Sequence, residues 1–116
     1  MERDIMADNY EELKRKVLTP GEMVQYQEGS VVSRMLAFTN AGTVTLFAFS
    51  EGEGLSEHTA PFDAILYVMD GDARIVIDGT VHLMTAGELI IMPANIPHAV
   101  YARTDFKMML IMIHAP

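Results

Sequence analysis

Four histidines, His58, His82, His98 and His114, and no cysteine make up the neutral metal-ligating side chains of this sequence. An imidazole can bind a metal through one ring nitrogen, and because it titrates near neutrality it can also hold or deliver a proton. His58 lies near the start of "EHTAPFDAILYVMDG" (Glu57–Gly71), which continues through Pro61, the acid Asp63 and an apolar run to Asp70-Gly71. The stretch looks like a ligand-bearing strand from which some ligands are missing. Whether a metal, or any chemistry, remains depends on what the surrounding elements bring beside His58.

The chain has 116 residues, which sets one domain as the expectation. Sixteen acids against eight lysines and arginines leave a net charge of −8. That balance argues against nucleic acid, whose phosphates need a basic face, and against an anionic membrane surface. The absence of cysteine excludes disulfides and thiolate zinc sites. The start "MERDIMADNYEELKRK" is charged and has no apolar signal core. No apolar run approaches the ~20 residues that span a bilayer. The expectation is a soluble, cytoplasmic protein. The ten methionines sit inside strand-like apolar runs, where Met fills irregular gaps, so they read as packing and not as thioether ligands.

Residues 8–18, "DNYEELKRKVL", read as one short helix, with Asp8 as cap and Glu11 completing a capping box. "TPG" at Thr19–Gly21 ends it. From there the pattern is strands and turns: "SVVSRMLAF", "TVTLFAFS", "AILYVM", "ARIVI", "TVHLM", "ELIIM", "HAVYA" and "FKMMLIMI". "EGEG" at residues 51–54 reads as a loop, and Asp78-Gly79 signals a tight hairpin. Many short strands with regular turns mean an all-β antiparallel sandwich or barrel. The division is residues 1–29 as helix and lead-in and 30–116 as the barrel. "FKMMLIMI" and "AILYVM" are apolar on both faces, whereas a strand with one wet face alternates. Their second face should be covered by another sheet or by a second subunit, and a homodimer is the expectation.

The order of these elements resembles the cupin family, whose fold is an antiparallel double-stranded β-helix, or jelly-roll barrel. The first motif of that family is a glycine, five residues, His-x-His, a glutamate three or four residues on and a second glycine. Here Gly52, His58 and Gly71 keep that frame, while Ala60 and Ala64 stand at the second histidine and the glutamate. The second motif is a glycine, five residues, Pro-x-Gly, two residues, a histidine and then an asparagine. Gly87, Pro93 and His98 match it; Asn95 replaces the glycine and Ala102 the asparagine. Asn tolerates left-handed backbone better than most residues. The resemblance covers roughly residues 30–114.

It implies a metal site of three histidines and a glutamate, of which this chain keeps His58 and His98, on different strands pointing into one mouth. On one continuous strand, His58, Ala60, Phe62, Ala64, Leu66 and Val68 would share the inner face. Two imidazoles fall short of the three protein ligands of catalytic zinc, or the two His and a carboxylate common for non-heme iron. Asp63 is the nearest third ligand, turned inward only if Pro61 brings a bulge; otherwise it is a solvated acid or a cap for backbone amides. His114 shares parity with Phe106, Met108, Leu110 and Met112 and is the other candidate, though a terminal histidine is more often a surface residue. His82 reads as exposed. Phe62, Leu66, Met92 and Val100, with Phe47 or Leu46 and Met35 or Leu36, should line an apolar pocket for a small, uncharged or singly charged molecule. Arg34, Arg74, Arg103 and Lys107 are scattered, which disfavours a nucleotide-sugar diphosphate.

Three functions remain open. The first is a small-molecule binding or sensing protein centred on His58 and His98, with a divalent metal (iron, nickel, zinc or manganese) held weakly or absent. The second is a metal-dependent enzyme, an oxygenase or isomerase acting on a small apolar metabolite, completed by Asp63, His114 or waters. The third is a structural or partner-binding cupin whose cavity is filled by Met and Phe. Fold alone does not choose among them.

Overall fold

The structure, a computed structural model, describes residues 10–114. The N-terminal helix is shorter than expected. Residues 10–13 are helical and residues 14–15 form a turn. The Lys14 amide donates to the Glu11 carbonyl, only three residues back, and Arg15 takes φ 67°. A non-glycine residue in the left-handed region cannot continue a right-handed helix, so the helix stops well before Leu18. The proposed cap Asp8 lies outside the described residues. A single 3-10 turn, Pro20–Glu22, then leads toward the strands.

Nine strands follow: β1 Val31–Thr39, β2 Gly42–Phe49, β3 Gly54–His58, β4 Asp63–Asp70, β5 Asp72–Ile77, β6 Thr80–Thr85, β7 Leu89–Met92, β8 His98–Ala102 and β9 Phe106–Ile113. They form two antiparallel sheets, one ordered β1-β2-β9-β4-β7 and the other β3-β8-β5-β6. This is the expected jelly-roll sandwich. Two turns work as the sequence implies. Asp78 and Gly79 take φ 50° and 80°, the doubly left-handed turn that suits a two-residue hairpin, and close β5 onto β6. Gly71 alone separates β4 from β5 and carries the chain from one sheet to the other. At φ 77° a Cβ there would lie 2.0 Å from the Asp105 carbonyl oxygen, so only glycine fits.

Residues 58–68 are not a continuous strand. The end of "EGEG" opens a separate strand, β3, which belongs to the four-stranded sheet and carries His58 at its end. The chain crosses at residues 59–62 and β4 starts at Asp63 in the other sheet. Proline at 61 cannot donate to a ladder, so the crossing falls where continuous pairing would fail.

The inner faces of both sheets form one core, with Phe49, Leu66, Val68, Ile75, Val100, Phe106 and Met108 at most 1 % exposed. On β9 the inner residues are Phe106, Met108, Leu110 and Met112, as parity implies. The outer face of the same sheet is also apolar, and the chain itself covers half of it. Val24, with Met23 and Tyr26, packs on Leu46, Ala48 and Met109. Polar contacts pin this lead-in. The buried Lys107 Nζ donates to the Gly21 carbonyl at 2.6 Å and lies over the Tyr26 ring, and the Tyr26 hydroxyl donates to Asp70 Oδ2. The cover of that half is therefore neither a sheet nor a subunit. Among the described residues nothing covers the other half, where Leu89, Ile91 and Ile113 are each at least half exposed.

Candidate functional site

His58 ends β3 and His98 begins β8, and the register places them directly opposite each other. Opposed residues of an antiparallel pair share a face, so the rings meet, edge to face, with centroids 4.4 Å apart. Each ring is anchored by the backbone two residues before it. His58 Nδ1 lies 2.7 Å from the Ser56 carbonyl oxygen and His98 Nδ1 3.1 Å from that of Ile96. A carbonyl oxygen only accepts, so both Nδ1 atoms carry the proton and donate. In the neutral rings both Nε2 atoms are then bare lone pairs. His58 is exposed, while His98 is only 5 % exposed. His98 Nε2 has no hydrogen-bond partner among the described residues, and no buried side-chain nitrogen or oxygen is left unpaired, so this atom keeps contact with solvent. Burial holds the His98 imidazolium below its ordinary pKa; the Ile96 carbonyl opposes this shift and the charge of His58 adds to it.

Local backbone frames the pair. Asn95 takes φ 65°, the left-handed conformation that a glycine would otherwise supply, and its amide donates to the Ala60 carbonyl at 2.7 Å. This bond ties the crossing loop to the loop before β8. Ile77 pairs with His98 across β5 and β8 and so shares the inner face with it. Sequence reading did not name Ile77 or the Asn95–Ala60 bond. The hairpin Asp78-Gly79 marked where β5 ends, but only the pairing with β8 puts Ile77 beside His98.

The other candidates sit apart from the pair. Asp63 is exposed, and its Oδ1 accepts a 2.9 Å bond from the Ala94 amide, the capping role. His114 stacks on Phe62 with centroids 4.2 Å apart, and its Nδ1 lies 3.3 Å from the Asn40 carbonyl oxygen. Among the described residues no three His, Asp or Glu side chains gather where they could hold one metal ion. Ala64 is buried in the core at 1 % exposure and brings no donor. The donors present therefore do not fit the three-histidine, one-glutamate metal centre that the resemblance implies. His82, expected to be exposed, is half-buried instead, because it pairs with the core residue Ile75 and points to the inner side. Of the expected pocket lining, Leu66, Met92 and Val100 are buried in the core cluster at 0, 2 and 1 % exposure, and Phe62 is half-buried against His114. Phe47 and Met35 face inward, whereas Leu46 and Leu36 pack under the lead-in. Two surface clefts of about 590 and 620 Å³ lie along that lead-in, away from the histidines.

The family described as "Cupin domain" matches residues 45–114. A conserved protein of unknown function from Streptococcus pyogenes is 32% identical with TM-score 0.84, over 88% of this chain and 90% of that one. A cupin superfamily protein from Desulfitobacterium hafniense is 25% identical with TM-score 0.83, over 88% and 94%. A cupin 2 conserved barrel domain protein from Leptotrichia buccalis is 43% identical with TM-score 0.79; the match covers 81% of this chain and 46% of that one. No curated protein matches the chain.

Proposed function

The chain belongs to the cupin domain family, and from that premise we propose that it binds a small molecule at the barrel mouth formed by His58 and His98. The observation that carries this reading is the anchored histidine pair. Two rings 4.4 Å apart hold their Nδ1 protons on backbone carbonyls and leave both Nε2 lone pairs free for a ligand. Ile77 supplies apolar surface beside His98, in keeping with the usual composition of a small-molecule site. The acidic, cysteine-free composition fits a cytoplasmic protein. A small-molecule screen read by thermal stability tests the proposal: a ligand should raise the melting temperature of the native protein and not of the His58→Ala, His98→Ala double variant. An equal rise in both proteins would place binding elsewhere.

The same pair of lone pairs favours one second reading, a metal-dependent enzyme in which water or substrate completes the coordination of iron, nickel, zinc or manganese. Elemental analysis of protein prepared without chelator or His tag separates the two. Near-stoichiometric metal that disappears in the double variant supports the enzyme; metal-free protein that stays empty after incubation with these ions removes it.

The partner in this reading is a second copy of the chain, seated on the open half of the five-stranded sheet. Leu89 and Ile91 are 58 and 57 % exposed and lie beside Tyr67 and Ile65 in register. Monomers seldom leave a contiguous apolar patch of more than a few hundred Å² open. Light scattering should give a dimer mass that Ile91→Asp halves.

A further inference from the structure

The charges around the mouth bear on which small molecule it takes. Both imidazoles turn their N–H groups to the backbone, so only acceptors face a ligand. The cations of the strand region stand elsewhere. Arg34 donates to the Met23 carbonyl and Lys107 to that of Gly21, both under the lead-in. The Arg74 guanidinium lies over the Tyr101 ring, and Arg103 follows β8 at the end of that strand away from His98. Acidic residues stand at this end of the barrel instead. Asp63 is bonded to the Ala94 amide, one residue before Asn95. The Asp78 amide donates to the Pro97 carbonyl, immediately before His98. Ala60 and Ala64 have removed the two further donors that would make these lone pairs part of a complete metal centre.

We propose that the mouth takes an organic cation of the alkylammonium class, its N–H groups donating to Nε2 of His58 and His98 and its alkyl part lying against Ile77. The inference rests on the reading of the mouth as a ligand site. An ammonium carries three donors, enough for both lone pairs with one left for water. Its charge is also attracted by the exposed Asp63 and Asp78 at the same end of the barrel, an attraction that salt screens. A carboxylate ligand of the same size would meet two lone pairs and two like charges with no cation to receive it. A neutral alcohol could donate to only one of the two lone pairs.

The test uses the histidine ring signals in NMR spectra of the labelled protein, held at a pH above the ordinary histidine range. n-Butylammonium, butanoate and butan-1-ol are titrated at matched ionic strength. The expected result is saturable movement of both the His58 and His98 signals by butylammonium, at least about tenfold tighter than by the other two probes. In His98→Phe the response of His58 should weaken by a similar factor. Movement of both signals by butanoate or butan-1-ol at equal or lower concentration would overturn the cation assignment and leave the mouth reading in place. No movement by any probe up to about 10 mM, a concentration that would reveal even millimolar binding, would overturn both.

Discussion

At one end of the barrel Phe47, Phe49 and Phe106 stack in a row, with ring centroids 5.7 and 4.7 Å apart, and the last two are wholly buried. At the other end His58 and His98 meet edge to face, one exposed and one buried, each held by a single bond to a nearby carbonyl. The first end is held by apolar area removed from water, and its residues serve the fold. The second is held by local hydrogen bonds that fix ring orientation and leave lone pairs unused. A family barrel can therefore lose two metal ligands at the mouth without disturbing the aromatic stack that holds the sheets together.

Phe106→Ala separates the two ends most sharply. It should destabilise the protein by ~3–5 kcal/mol, the usual range for a buried Phe, with the spectra of His58 and His98 unchanged below the lowered melting temperature. A loss of the histidine geometry at temperatures where the variant is still folded would show that the two ends are coupled.

Tyr26→Phe tests the clasp of the lead-in, because it removes the bond to Asp70. The bond is partly solvated, so the expected loss in denaturant melts is about 1 kcal/mol, with ligand affinity at the mouth unaltered. A loss of affinity would connect the lead-in to the site.

Asp63→Ala removes the acceptor of the Ala94 amide and should cost roughly 0.5–1 kcal/mol. If Asp63 only caps that amide, metal content will not change. A fall in bound metal would restore Asp63 as a ligand.

The smallest effect is a pH dependence at the mouth. The folded pKa of His98 lies below its ordinary value, so between the two the unfolded chain binds a proton that the folded chain does not. Stability is full above the ordinary histidine pKa and falls as pH drops from there toward the depressed folded value. His98→Phe should flatten that part of the profile, measured as denaturation midpoint against pH. An unchanged slope would assign it to other groups.

Much of the fold was legible because its causes are local. The Asp78-Gly79 hairpin, the glycine at 71 and the two-faced apolar pattern of β9 depend on backbone conformation and side-chain alternation within a few residues. So does Asn95 in a left-handed position. The capping and charge pattern of residues 8–18 suits a longer helix than the one that forms, because Arg15 turns left-handed.

The sandwich, the retention of His58 and His98 and the absence of donors at positions 60 and 64 follow from residue types alone, since each depends on which residue stands at a given place along the chain. The separation of β3 and β4 into different sheets and the meeting of His58 with His98 across a ladder arise only as the sheets assemble. So do the capping of Ala94 by Asp63 and the cover that the lead-in gives to half of the outer face. Those outcomes depend on pairing between segments far apart in sequence, where the energy of burial and of bonds to distant backbone atoms overrides the parity of any one strand.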